Sequence, residues 1–300
     1  MNNSFVIGAD IGGSHISVAL VDLNTGSIVS DSAVRGHVNA HGTAGEIFEA
    51  WAAVINKVLQ SAKSSSISKI GLAMPNPVDY ESGISYIKDI DKYDSLYGLN
   101  IKELLAKELG LLSSDIKMKN DAGCFLQGET FGGAAKGYKN AIGLTIGTGI
   151  GTARYHNGVA EDADLWHSPF KDSIVEDYIS SRWFVKRYAE RSGNTVKNVK
   201  ELAALYVSDQ HAQDVFTEFS ENISAFLVSF IKIDNPDVIV IGGNIANASS
   251  LFFPAIEKHL STHGLHIPIH KAILGEEAAI IGAASCWYER KHTSLNSIIL

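Results

Sequence analysis

Glycine occupies three alternate positions, Gly147, Gly149 and Gly151, inside the stretch AIGLTIGTGIGTARYHNG that runs from Ala141 to Gly158. Apolar runs with strand-like alternation flank them, and glycines this closely spaced suit a hairpin whose bare backbone can lie against a bulky anion. The stretch is a phosphate-loop candidate, but not of the two commonest kinds. A dinucleotide fingerprint would need a further glycine at position 152, where the chain has Thr152, and no Lys-Ser/Thr pair follows as a P-loop requires. Another strand and an Asn157-Gly158 turn come next, not a helix.

The same pattern occurs about 135 residues earlier. Phe5 to Asp22 reads FVIGADIGGSHISVALVD, with Gly12-Gly13 at the turn and Asn24-Thr25-Gly26 after the second strand. Two copies predict a duplicated α/β fold with a phosphate hairpin in each half and a nucleotide between them. In this the chain resembles the sugar-kinase and actin-like ATPase superfold, where two RNase H-like domains hold such hairpins on opposite sides of a cleft. The copies differ in one respect: Thr148 stands where the first has Asp10, which fits one metal-facing carboxylate rather than two.

Three hundred residues suffice for two domains with a sizeable core, and 45% hydrophobic with 19% charged residues marks an ordinary globular chain. A formal net charge of −8 argues against nucleic acid or an anionic membrane as the main partner, so any phosphate site must be built locally. The two cysteines, Cys124 and Cys286, form no C-x-x-C pair and indicate neither a disulfide framework nor a zinc site. The N-terminus MNNSFVIGAD enters a strand at once, without a signal-like segment, and no apolar run approaches a membrane span. The expected compartment is the cytoplasm.

Between the hairpins, Thr43 to Ala62 carries helical apolar spacing, with Glu46 three residues after Thr43 as a capping-box signal. A polar link at 64–68 leads to a buried strand, Lys69 to Met74, that ends at Pro75-Asn76-Pro77. Asp79 to Leu99 is irregular and rich in tyrosine (Tyr80, Tyr86, Tyr93, Tyr97), a loop region over a cleft. Asn100 to Leu109 reads as a helix closed by Gly110, and Ile116 to Lys119 as a strand. Asn120-Asp121 then opens a helix to Phe131. After the second hairpin, helices are expected at 176–191, 199–207 and 210–233, a buried strand at Asp237 to Ile241, a Gly242-Gly243 turn, and helices at 249–260 and 278–288.

Asp121 follows a strand directly and sits at a helix N-terminus, which favours the ionised carboxylate that a general base needs. The plainer reading is that Asn120-Asp121 only caps the helix. Five motifs in order decide between them. DIGGSH at Asp10 to His15, Met74-Pro75-Asn76-Pro77, Asn120-Asp121-Ala122-Gly123, Gly147-Thr148-Gly149-Ile150-Gly151 and Val240-Ile241-Gly242-Gly243 are similar, in order and rough spacing, to the motifs of the ROK sugar kinases. The resemblance covers residues 5 to 285.

It implies an ATP- and Mg²⁺-dependent kinase of glucose or an amino sugar, acting at the 6-hydroxyl, with Asp121 as the base. Asp10, Gly12, Gly13, Ser14, Gly147, Thr148, Gly149, Gly151, Gly242 and Gly243 would then face the nucleotide, with Asp10 toward magnesium or its waters. Asn76, Asn120, Asp121, Asp164, His167 and Glu176 would face the sugar, Asp164 and His167 standing at the family's Glu-Ile-Gly-His motif. The resemblance also implies a homodimer. It divides the chain into a smaller domain, residues 1–118 plus 289–300 with the helix from about 278 packing back on it, and a larger one, 119–288.

The chain departs from the family pattern in three places. Ser168 to Val175 has no cysteine, so no structural zinc is expected; Gly123 replaces a second Asn; and Lys92-Tyr93-Asp94 falls near where a sugar-binding Asn is usual. Two rivals remain at this stage. One is a sugar-responsive repressor, disfavoured by the four residues before Phe5 and by the net charge. The other is a sugar sensor with weak or lost catalysis.

Overall fold

Each glycine turn closes an antiparallel hairpin, and each hairpin feeds a mixed sheet. The computed structural model describes residues 4–62, 67–89 and 92–288. The expected link at 64–68 lies partly, and the segment 289–300 wholly, outside the described residues. In the first sheet, β1 (Phe5–Ile11) pairs with β2 (His15–Asp22), which also carries β3 (Ser27–Ile28) and β4 (Val34–His37). On its other side β1 runs parallel to β5 (Ile70–Met74), and β5 to β8 (Ile116–Asn120). A small ribbon of β6 (Val78–Asp79) and β7 (Ile84–Ser85) interrupts the loop region between them.

The second sheet repeats this plan. β9 (Ala141–Ile146) pairs with β10 (Ile150–His156), β10 with β11 (Val159–Asp162), and β9 runs parallel to β14 (Val238–Gly242), which is followed by β15 (Ile269–Lys271). A ribbon of β12 (Pro169–Phe170) and β13 (Ser173–Ile174) lies in the insertion after β11. The duplicated order of two α/β units is that of RNase H-like, actin-like ATPase domains around a cleft.

Helices cover the sheets as the apolar spacing requires. α1 (Ala44–Ser61) starts at the capping box of Thr43 and Glu46 and buries Ile47, Phe48, Trp51, Ile55 and Val58 against the first sheet with α2 (Ile101–Leu109). On the second sheet, α4 (Val175–Tyr178), α5 (Ser181–Ser192), α6 (Val199–Leu205), α7 (Gln210–Asp234) and α8 (Phe253–Thr262) enclose an aromatic core around Phe184, Phe216, Phe219 and Phe252.

Two helices are buried all round. α3 (Asp121–Phe131) and α9 (Glu277–Ser285) lie against each other, and α9 also lies on β1 and β5. A β-carbon on Gly8 or Gly71 would overlap the backbone of Ile280 or Ala283, and one on Gly128 or Gly282 the backbone of Ala278 or Cys124. Absent side chains thus let α9 seat between the first sheet and α3. Fully buried Glu129 on α3 fastens the turn before α9, accepting the amides of Ala134 (2.7 Å), Ile273 (3.0 Å) and Leu274 (2.9 Å).

Candidate active site

Parallel register brings the acidic residues of the first sheet to one edge. Asp10 in β1 pairs with Ala73 in β5, and Met74 in β5 with Asn120 in β8. Asp10, the Pro75-Asn76-Pro77 turn and Asp121 therefore leave neighbouring strands at their carboxyl ends, where open α/β sheets hold ligands. Asn120 caps α3, its Oδ1 accepting the Gly123 amide at 3.0 Å, and Asp121 Oδ1 accepts the Ala122 amide at 2.8 Å. Burial raises the Asp121 carboxyl above its ordinary range, while the Ala122 amide and the charge of Lys92 oppose the rise. A carboxylate raised in this way is a better proton acceptor than a solvated one.

A polar group surrounds Asp121 on one side. Asn76 Nδ2 donates to Asp162 Oδ2 at 2.5 Å, and the Asp164 amide donates to Asp162 Oδ1 at 2.8 Å. The Tyr80 hydroxyl shares its one proton between Met74 O at 2.8 Å and Asn76 Oδ1 at 2.9 Å. Burial raises the Asp162 carboxyl, and the charges of Asp164 and Asp121 raise it further. The sequence reasoning passed over Asp162. Its signal was the alternation of β11, in which Ala160 is buried and Asp162 half-buried while Val159 and Glu161 are exposed, so a carboxylate ends the inward face.

Gly12 and Asp10 lie on the other side. The Gly12 amide donates to His15 O at 2.9 Å, Ser14 Oγ meets His15 Nδ1 at 2.8 Å, and the buried Tyr93 donates its hydroxyl to Gly12 O at 2.6 Å. Among the described residues neither oxygen of Asp10 accepts a hydrogen bond. Its carboxyl is raised from 3.8 to about 7 by burial first, then by the charges of Asp121 and Glu276, with Arg35 opposing. A cavity of about 530 Å³ opens here, lined by Asp10, Gly12, Asp121, Thr145, Gly243 and Glu276 among others, and Arg35 Nη1 bridges to Glu276 Oε2 at its wall (3.0 Å).

The second hairpin turns at Gly147-Thr148-Gly149, with the Gly147 amide on Gly149 O at 2.9 Å. Gly147 and Thr148 line a separate cavity of about 810 Å³, with Asn198, Lys200 and Ala248. Asn244, which directly follows Gly242-Gly243, and Asn247 line both cavities. Gly149 is not in the left-handed region; a β-carbon there would strike the carboxylate of Glu176. Glu176 accepts the Ile150 amide at 3.2 Å and pairs with Arg182 at 2.6 Å, so it braces the second hairpin from behind. Gly151 fits against Thr145 and Ala122.

Asp164 and His167 come together, Oδ1 to Nδ1 at 3.5 Å, but both side chains are more than half exposed. Trp166 packs beside His167 and donates Nε1 to Asp164 at 3.1 Å. The pair adjoins the group of Asn76, Tyr80, Asp121 and Asp162 through the bond of the Asp164 amide to Asp162.

The ROK family model matches residues 6–163 and 169–290. The chain is 26% identical to an N-acetyl-D-glucosamine kinase of Mannheimia succiniciproducens, over 93% of this chain and 97% of that protein. Its fold superposes on the ROK hexokinase of Thermus thermophilus with a TM-score of 0.76 at 23% identity, covering 93% and 96% of the two chains. A ROK glucokinase of Streptomyces griseus, solved with glucose and AMPPNP, superposes with a TM-score of 0.73 at 21% identity, covering 94% and 98%. With a matching model over nearly its whole length, the chain belongs to the ROK family.

Proposed function

We propose that this chain, a hexokinase-type sugar kinase, transfers the γ-phosphate of ATP to the 6-hydroxyl of a hexose, either glucose or an amino sugar of the N-acetylglucosamine class. The observation that carries the reading is the delivery of Asp10, Asn76 and Asp121 to one sheet edge beside the cavity that Gly12 and Gly243 line. Asp121 takes the proton of the attacking hydroxyl. Asn76, Asn120 and Asp162 orient the sugar, and Asp164 and His167 extend that surface with exposed polar groups. Gly12, Gly13, Ser14, Gly147, Thr148, Gly242 and Gly243 form the nucleotide side, along the two cavities that Asn244 and Asn247 both line. Glu176 serves by holding the second hairpin. Relatives support the substrate class: the Mannheimia protein is named for N-acetyl-D-glucosamine, and the Streptomyces one was solved with glucose.

Magnesium fits Asp10, whose carboxylate lacks a hydrogen-bond donor and faces two other negative charges. No group of three or more His, Cys, Asp or Glu among the described residues could hold a metal alone, so phosphate oxygens and water would supply most of the ligands. Bound there, Mg²⁺ supplies positive charge to the phosphate oxygens. We place the protein in the cytoplasm as a homodimer; no described helix is long and apolar enough to cross a membrane. ADP formation from ATP and Mg²⁺ with a panel of hexoses and amino sugars tests the reading, with the phosphorylated carbon located by NMR. No sugar-dependent ADP formation would refute it, and phosphorylation at another carbon would refute the 6-hydroxyl.

A further inference from the structure

Tyr93 is a fully buried tyrosine at the tip of an otherwise irregular segment, and its anchoring fixes the residue before it. The Tyr93 hydroxyl donates to Gly12 O at 2.6 Å, its amide donates to Ala40 O at 2.8 Å, and its ring packs edge-on against Trp51. Lys92 is thereby held over the first glycine hairpin. Its Cδ lies 3.8 Å from where a β-carbon of Gly13 would be, so the aliphatic stem runs across the bare face of that glycine. Its charge reaches Asp121, on which it acts as the main opposing cation. Among the described residues the ammonium has no hydrogen-bond or ion-pair partner. A half-buried lysine, pinned through its neighbour and directed between a phosphate hairpin and a catalytic carboxylate, is placed for an anion that arrives with the substrates.

We propose that Lys92 is a further catalytic residue, whose ammonium contacts the phosphoryl group as it passes from ATP to the sugar. The proposal rests on the kinase reading above. In the transfer, the sugar oxygen bonds to the γ-phosphorus, the bond from that phosphorus to the ADP oxygen breaks with its electrons going to ADP, and the hydroxyl proton goes to Asp121. Negative charge is then spread over the three equatorial oxygens of the moving group, and a positioned cation lowers the barrier by meeting it there. Asp10, Asp121 and Glu276 bring three carboxylates to this region and Arg35 is already paired with Glu276, which increases the need for such a cation.

The test is steady-state kinetics on the full chain with Lys92→Met and Lys92→Arg, with thermal denaturation as a folding control. Lys92→Met should lower kcat by about 10- to 100-fold while the KM values for ATP and sugar stay within about threefold, and Lys92→Arg should recover part of the loss. Affinity for ADP with aluminium fluoride and sugar should fall by a similar factor, with affinity for ADP alone unchanged. An unchanged kcat, or a loss confined to the KM for sugar, would overturn the assignment. If the unmodified chain phosphorylates no sugar, the kinase reading falls and the role of Lys92 with it; an active chain with an unaffected Lys92→Met removes only the latter.

Discussion

Replacing Asp10 by Asn should stabilise the nucleotide-free protein, and more so as pH rises. Asp10 is held in the cleft without a hydrogen-bond donor, near Asp121 and Glu276, and its carboxyl is raised from 3.8 to about 7. Below pH ~4 it is neutral in both the folded and the unfolded chain. Between about 4 and about 7 the unfolded chain has released the proton while the folded chain keeps it, so stability falls as pH rises through this window. At about 1.4 kcal/mol per pH unit the penalty reaches about 4 kcal/mol above pH 7, an upper bound because water enters the cleft. Asparagine keeps the shape without the charge. The advantage of Asp10→Asn over the unmodified chain should therefore grow by about 2 to 3 kcal/mol between pH ~5 and pH ~8. Chemical denaturation of both proteins without nucleotide, at several pH values, reads this difference directly. It also cancels the contributions of carboxylates that do not interact with Asp10, such as the lowered Asp79 and Asp209. A difference that does not change with pH, or a variant less stable at pH ~8, would refute the reasoning. The same variant should lose kinase activity if Asp10 faces magnesium.

Asp121→Asn should fold normally, because Asn120 provides the helix cap, while kcat falls by roughly 10²- to 10⁴-fold; near-normal turnover would remove Asp121 as the base. Gly149→Ala should weaken ATP binding by displacing the Glu176 carboxylate and the Ile150 amide it holds, with sugar binding retained. Calorimetry showing unchanged ATP affinity would count against that bracing. Asp162→Asn should raise the KM for sugar well above the effect of Asp164→Asn, since Asp162 is half-buried with two protein donors and Asp164 is exposed. The reverse order in a kinetic comparison would return the sugar-facing carboxylate to Asp164.

Local chemistry was readable from the sequence wherever neighbouring residues decide it. The Thr43–Glu46 capping box, the Asn120 cap, the Gly110 helix end and the Asn157-Gly158 turn all form where nearby side chains and backbone satisfy one another. The two glycine hairpins and their duplication followed from alternation and spacing, and with them the fold class. The helix start at Asn120-Asp121 was legible because strand, cap and carboxylate are consecutive, whereas the role proposed for Asp121 came from the order of the five motifs. What tertiary structure alone decided involves partners far apart in the chain. Glu176 came to rest on Ile150 and Arg182 because the insertion after β11 folds back under the second hairpin. Asp162 joined Asn76 across 86 positions, where the end of β11 packs beside Gly123 of α3. Lys92 reached the first hairpin through the bond of Tyr93 to Gly12. Helix α9 found its seat through glycines drawn from β1, β5, α3 and its own middle. A local pattern encodes which groups can pair with near neighbours, whereas long-range contacts depend on how whole elements pack, so the same carboxylate can face a sugar, a hairpin or solvent.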